Sequence, residues 1–180
     1  MDPINMLDKM STSDEILYSP LVYGYSNYAQ SGYAPHVVEF CDMPIFKDVG
    51  SKFNQLTPNG SMIGGVGLSM STQCKNPEAA LEFMKFVAPA DAQRTMLFDN
   101  GGQPGHRVAW EDAHVNELSH NFYSATLQTL MEGSLRPRFN GYVDFQGDAG
   151  ARIREFVLDG TGDKKAFIKE LNNLIKEYRK

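Results

Sequence analysis

Tyrosine and amide side chains are the chemistry this sequence carries in quantity. Tyr18, Tyr23, Tyr25, Tyr28 and Tyr33 fall within sixteen positions, with Asn27 and Gln30 among them. Tyrosine faces stack on the apolar faces of sugar rings, while hydroxyls and amides bond the ring hydroxyls. Each of these tyrosines can equally be a half-buried residue at a strand edge. A second polar and aromatic group, Tyr142, Asp144, Phe145 and Gln146, sits just ahead of an expected helix start. Backbone donors are free there, which suits a ligand and equally suits a simple cap. Residues 62–70 look like a strand yet carry Gly64, Gly65 and Gly67. Glycine weakens a strand unless another backbone or a ligand must come close.

Other chemistries lack their residues. A nucleophilic site needs Ser or Cys with His and a carboxylate, and Gly67-Leu68-Ser69-Met70-Ser71 is one glycine short of a nucleophile elbow. His36, His106, His114 and His120 are scattered, and the last two lie six apart, off a common helical face. Neither catalytic residues nor an enzymatic activity is expected. His106, Asp112 and His114 can be drawn together on paper, but loops of this polarity ordinarily face water, so no metal site is expected. Gly64-Gly65-Val66-Gly67 lacks dinucleotide spacing and no phosphate-loop lysine follows, so no cofactor is expected either.

Composition sets the frame for these groups. The 180 residues are 42% hydrophobic and 22% charged, which is ordinary for a soluble globular protein. With a net charge of −5 and no basic block, the chain gives nucleic acid no electrostatic reason to bind. No apolar run approaches the roughly 20 residues of a membrane span, and no secretory signal stands at the start. Met1, Ile4, Met6, Leu7 and Met10 instead suggest the last turns of a helix, as though the chain began inside a fold. Cys41 and Cys74 have no metal-type spacing; they read as buried or half-buried small hydrophobes, with a disulfide open in an oxidising compartment.

The elements that must position the tyrosines follow from local signals. Residues 16–28 read as a strand breaking into a loop at Pro20 and Gly24, and residues 37–41 as a second strand. Residues 46–61, with Pro58-Asn59-Gly60, read as a loop or hairpin turn. Asn76, Pro77 and Glu78 open a helix whose apolar stripe is Ala80, Phe83, Met84 and Val87. Pro89 stops it, a further helix runs past Met96, and Asn100-Gly101-Gly102 supplies a left-handed exit. Helices are then expected over 117–131 and 147–158, an extended connector at residues 136–141, and a last helix capped by Asp163. The class reads as α/β or α+β, richer in helix.

In their order, these signals resemble the C-terminal part of the family 1 extracellular solute-binding proteins of sugar-type ABC importers. The match runs through residues 64–71, Lys75-Asn76-Pro77-Glu78-Ala79-Ala80, Phe83-Met84-Lys85-Phe86, Ala90-Asp91-Ala92-Gln93-Arg94 and Gly101-Gly102-Gln103-Pro104, and covers the chain from about Tyr18 onward. The resemblance implies an α/β, periplasmic-binding-protein-like fold of type II, represented by its C-terminal portion only, helix-rich with short strands. Residues 1–60 would be part of the second lobe, 61–135 would return to the first, and 136–180 would cross back with the closing helices. It places Tyr23, Tyr25, Asn27 and Tyr28 where the family sets an aromatic on its sugar. Gly64 and Gly65 fall on the strand where main chain approaches ligand, and Tyr142, Asp144, Phe145 and Gln146 on the segment leading into a ligand-facing helix. This chain has Val66 where the family carries an aromatic. The implied partners are a small-molecule ligand, a sugar, and an ABC permease; the implied location is periplasmic, or extracellular with a lipid anchor. With the family's N-terminal half absent, weak or absent ligand binding is expected of the chain alone. The alternative expectation is a self-associating, non-catalytic interaction domain.

Overall fold

The computed structural model describes residues 2–44 and 61–179, which fall into two units, 1–135 and 136–180. The loop or hairpin expected over 46–61 lies outside the described residues, apart from Ser61.

In the first unit, helix α1 (Pro3–Thr12) is capped by Asp2, whose carboxylate accepts the Asn5 N–H. A 3-10 turn, Ser26–Ala29, follows at the end of the tyrosine-rich segment. Helix α2 (Pro77–Val87) begins where Asn76-Pro77-Glu78 predicts, with proline in the first turn and Glu78 at the positive end. Helix α3 (Ala90–Ala92) passes into a π-helical turn, Gln93–Leu97. That stretch ends as its glycines predict: Gly101, at φ +79°, bonds back to the Phe98 carbonyl and Gly102 to that of Leu97.

Short helices α4 (Arg107–Trp110) and α5 (Ala113–Leu118) lead to α6 (Phe122–Glu132). The single helix expected over 117–131 is thus broken. His120 and Asn121 both take positive φ, 47° and 61°, and turn the chain sharply between α5 and α6. Asn116 holds this corner from inside. Its Nδ2 donates to the Trp110 and Asp112 carbonyls, its Oδ1 accepts the Ser124 N–H, and its own carbonyl accepts the Asn121 N–H.

The expected α/β, type II sheet architecture is overturned. More than half of the described residues are helical and none of them forms a strand. None of the three strand-like segments is in a strand, and the first of them ends in the 3-10 turn Ser26–Ala29; a strand exists through a ladder with a neighbour. Pairing among the described residues stops at two isolated bridges, Ser31 with Ala34 and Met62 with Ser134. High β-propensity at 16–28, 37–41 and 62–70 therefore reports side chains suited to a pleated surface, and that surface is not assembled here.

Two clusters of side chains hold the first unit. Ala29, Phe98, Trp110, Val115, Phe122 and Tyr123 form the larger, and Leu7, Tyr28 and Val38 the smaller; Phe40 packs against both. Rings in the larger cluster meet edge to face, Phe40 on Phe122 at 4.8 Å and Trp110 on Tyr123 at 5.1 Å. The Trp110 indole N–H, buried among them, donates to the Pro104 carbonyl at 2.7 Å.

In the second unit, α7 (Tyr142–Asp159) starts five residues before the expected 147 and ends at Gly160, φ +69°. Helix α8 (Lys164–Tyr178) is capped by Asp163, which accepts from Lys165 and Ala166. Phe156 stacks flat on Phe167 at 4.2 Å, and Arg152 bridges Asp148 and Glu170 between the helices. Gly141 caps α7 at φ +88°, a backbone that side chains rarely adopt.

Replacing Asn116 with Ala removes a buried amide from three hydrogen bonds, so it should lower unfolding free energy by about 2–4 kcal/mol. Urea denaturation followed by tryptophan fluorescence reads this directly, since Trp110 is a partner. An unchanged midpoint would mean the corner is held by other groups.

Candidate solute-binding surface

Gly24 fixes where the tyrosine-rich segment lies. A Cβ at this position would fall 2.9 Å from Phe122 Cε2 and 3.3 Å from Phe40 Cε1, so only glycine lets the backbone rest on those rings. The next peptide is pinned as well: the Ser26 N–H donates to Gln103 Oε1 at 3.1 Å. Gln103 belongs to the Gly-Gly-Gln-Pro turn, and Gln93 holds the far side of that turn by accepting the Gly105 and His106 N–H groups. With Gly24 against the core, its neighbours Tyr23 and Tyr25 stay 39% and 42% exposed, enough for a ligand to reach each ring.

Tyr23 and Gly64, forty-one positions apart in sequence, meet in space. A Cβ added at Gly64 would stand 3.3 Å from Tyr23 Cε1, while one at Gly65 would meet nothing within 4 Å. The ring therefore lies along bare main chain at Gly64, and the main chain at Gly65 is open to solvent. Of the ten residues singled out from sequence, Tyr23 and Gly64 are brought together from distant parts of the chain, with Tyr25 and Gly65 exposed beside them along the chain.

The others are placed differently. Tyr28 is a core residue: it is buried, its hydroxyl donates to Asp8 Oδ1 at 2.6 Å, its carbonyl accepts the Val38 N–H, and its ring meets Tyr33 edge-on. Burial first, and then Asp8, push its phenol well above the usual range. Asn27 is half-buried in the 3-10 turn. In the second unit, Tyr142 and Phe145 are half-buried in a ring cluster with Phe139 and Tyr178, which Arg179 covers at 5.2 Å from the Phe139 centroid. Asp144 and Gln146 remain exposed on α7; burial first, then Asp148 and Asp144, push the Tyr178 phenol of this cluster up.

Sequence reasoning treated Gly24 as an interruption and Gln103 as part of a turn, and missed that together they set the segment's position. The signal for Gly24 was available, since a glycine flanked by two tyrosines next to expected core is a place for close ring approach. Gln103 carries no such mark.

The residues that could be drawn toward a metal are occupied locally. Asp112 caps α5 and pairs with Arg94; the Val115 N–H, with Arg94 assisting, holds its carboxyl below the ordinary range. His106 Nδ1 accepts the Val108 N–H, and His114 lies 3.8 Å from Asp99. Cys41 and Cys74 are both free thiols, so the disulfide that the sequence left open is not formed; Cys74 is half-buried as expected, whereas Cys41 is exposed and not the buried or half-buried hydrophobe expected. No family model matches the chain, and no curated protein or solved structure resembles it.

Beneath the tyrosine segment, Tyr123 OH and Ser26 Oγ are both buried without a hydrogen-bond partner of good geometry. Burial pushes the Tyr123 phenol up to about 12, offset slightly by the Ser26 hydroxyl beside it. The unfolded phenol titrates near the ordinary tyrosine value of 10.0, so the folded state favours the neutral form. This contribution to stability is whole below pH 10 and is lost as pH rises through about 12. An alkaline titration should therefore show tyrosine ionisation delayed and accompanied by loss of the Trp110 fluorescence signature. Tyr123→Phe should remove an unsatisfied hydroxyl, leave stability equal or higher by up to about 1 kcal/mol, and delay the alkaline transition. A Phe variant destabilised by several kcal/mol would show that the hydroxyl has a strong partner.

Proposed function

We propose that this chain captures a small polar solute, a carbohydrate, on the surface formed by Tyr23, Tyr25 and the Gly64-Gly65 main chain, and does no covalent chemistry on it. The observation that supports this reading is the Tyr23 ring lying along the bare backbone of Gly64. A tyrosine held in place by packing on one side keeps little rotamer freedom to lose on binding, and its exposed face suits the C–H face of a sugar ring. Open main chain at Gly65 offers donors and acceptors for ring hydroxyls within reach of the same surface.

On this reading the chain is the solute-binding component of an ABC import system. It works outside the cytoplasmic membrane and delivers its ligand to a permease. No helix among the described residues is long and apolar enough to cross a membrane. The proposal does not depend on a sheet-based fold; it needs the anchored Tyr23-Gly24-Tyr25 segment and the glycine pair.

Saturation-transfer NMR of the chain with a panel of mono- and oligosaccharides tests the reading, because it detects weak binding. At least one sugar should receive saturation through its ring protons. Tyr23→Ala should weaken that binding by about 1–3 kcal/mol, the worth of a stacking anchor. Gly64→Val should weaken it too, by displacing the ring without removing it. No transfer to any sugar, or a Tyr23→Ala variant that binds as well as wild type, would end the proposal.

A further inference from the structure

Asparagine followed by glycine is a pair that can convert without an enzyme. The glycine nitrogen attacks the asparagine side-chain carbonyl, and no Cβ on the glycine stands in the way. The sequence holds three such pairs, Asn59-Gly60, Asn100-Gly101 and Asn140-Gly141. The first lies outside the described residues, and the other two differ in what holds them.

At Asn100 both reacting groups are committed. Its Nδ2 donates to the Met96 carbonyl at 2.7 Å, and the Gly101 N–H donates to the Phe98 carbonyl at 2.9 Å. The next peptide is fixed as well, with the Gly102 N–H bonded to the Leu97 carbonyl at 2.8 Å. At Asn140 neither group is held. The side chain is exposed, and among the described residues neither its amide nor the Gly141 N–H makes a hydrogen bond. One bond spans this turn, from the Tyr142 N–H to the Phe139 carbonyl at 3.2 Å. Gly141, at φ 88° and ψ 2°, has the backbone of the third residue of a type II turn. Ring closure needs the Asn140–Gly141 peptide to swing toward the Asn140 side chain, and that single bond is what the turn gives up.

We propose that Asn140 is a site of spontaneous deamidation, and that its conversion alters the joint between α7 and α8. Base takes the Gly141 amide proton, the nitrogen bonds to Asn140 Cγ, and the side-chain nitrogen leaves as ammonia, giving a cyclic imide. Water then adds to either imide carbonyl and breaks its bond to nitrogen, so the product is aspartate or isoaspartate. Aspartate places a negative charge beside the positive end of α7, which accepts it. Isoaspartate routes the main chain through the former side chain and adds a methylene just ahead of Gly141. There is no slack for it, because a Cβ at Gly141 would already lie 3.2 Å from the Tyr178 carbonyl at the end of α8. The added length disturbs the last turn of α8.

Ageing the full chain at mildly alkaline pH, then mapping tryptic peptides by fragment-ion mass spectrometry, tests this. Peptide 139–152 carries Asn140 and peptide 95–107 carries Asn100, so every sample holds its own comparison. In the folded chain Asn140 should convert faster than Asn100 by about tenfold or more, the effect of two further hydrogen bonds that Asn100 must break. In urea the two should convert at similar rates. Hydrogen exchange in the last turn of α8 should quicken in aged wild type, whereas Asn140→Ser aged in the same way should exchange like fresh protein. Folded Asn100 converting as fast as Asn140 would overturn the site, and a preference that persists in urea would show that the fold does not set it. Unchanged exchange in converted protein would overturn the effect on α8.

Discussion

The Phe122 ring is the contact on which the first unit depends. Gly24 lies on it, Phe40 and Tyr123 meet it edge to face, and Trp110 tilts against it. Three other stretches of chain thus converge on one side chain, two by ring contacts and one by bare backbone, and Tyr123 adds a ring from the same helix. Edge-to-face rings gain from their quadrupoles as well as from burial, and that geometry tolerates little displacement. The position of the tyrosine-rich segment follows, because Gly24 can sit nowhere else without opening a gap over the ring.

Away from this knot the first unit is held mostly by side chains reaching main chain. Asp42 Oδ1 accepts both the N–H and the hydroxyl of Thr129, the Met43 N–H donates to Thr129 Oγ1, and Gln103 and Gln93 hold neighbouring loops in the same manner. Such bonds take the place that a sheet ladder holds in other folds: they satisfy loop backbone that would otherwise rely on water. They also leave stretches outside the helices carrying apolar residues in contact with solvent, as at Leu17, Leu21 and Val66.

The helix ends marked by proline, glycine or a capping aspartate were legible in the sequence, because their determinants are local. Pro77, Gly101-Gly102, Gly160 and Asp163 each act through their own φ or their own side chain, and each ends or begins a helix as expected, whereas the start of α7 at Tyr142 was placed five residues late. The sheet was misread for the opposite reason. Propensity in 16–28 and 62–70 is a property of one segment, whereas a strand is a property of two. The corner at His120 and Asn121 was invisible because the apolar spacing of Leu118, Phe122, Leu127 and Leu130 continues across it, while Asn116, which enforces it, lies outside that stripe. Tyr23 and Gly64 were marked for separate reasons, an aromatic for stacking and a glycine for close approach. Their meeting was not legible, since spacing along the chain says nothing of contact across forty-one positions. Tyr28 shows the cost of judging by residue type, as its hydroxyl was already committed to Asp8.

Phe40 belongs to both side-chain clusters, the one around Phe122 and the one formed by Leu7, Tyr28 and Val38. Helix α1 is too short to persist in water without such packing, so its folding is tied through one shared ring to the rest of the unit. The amides in the middle of α1 are therefore released to solvent mainly when the whole unit opens, rather than by fraying of the helix on its own. A short helix joined by one shared ring behaves, in exchange with solvent, as part of the centre.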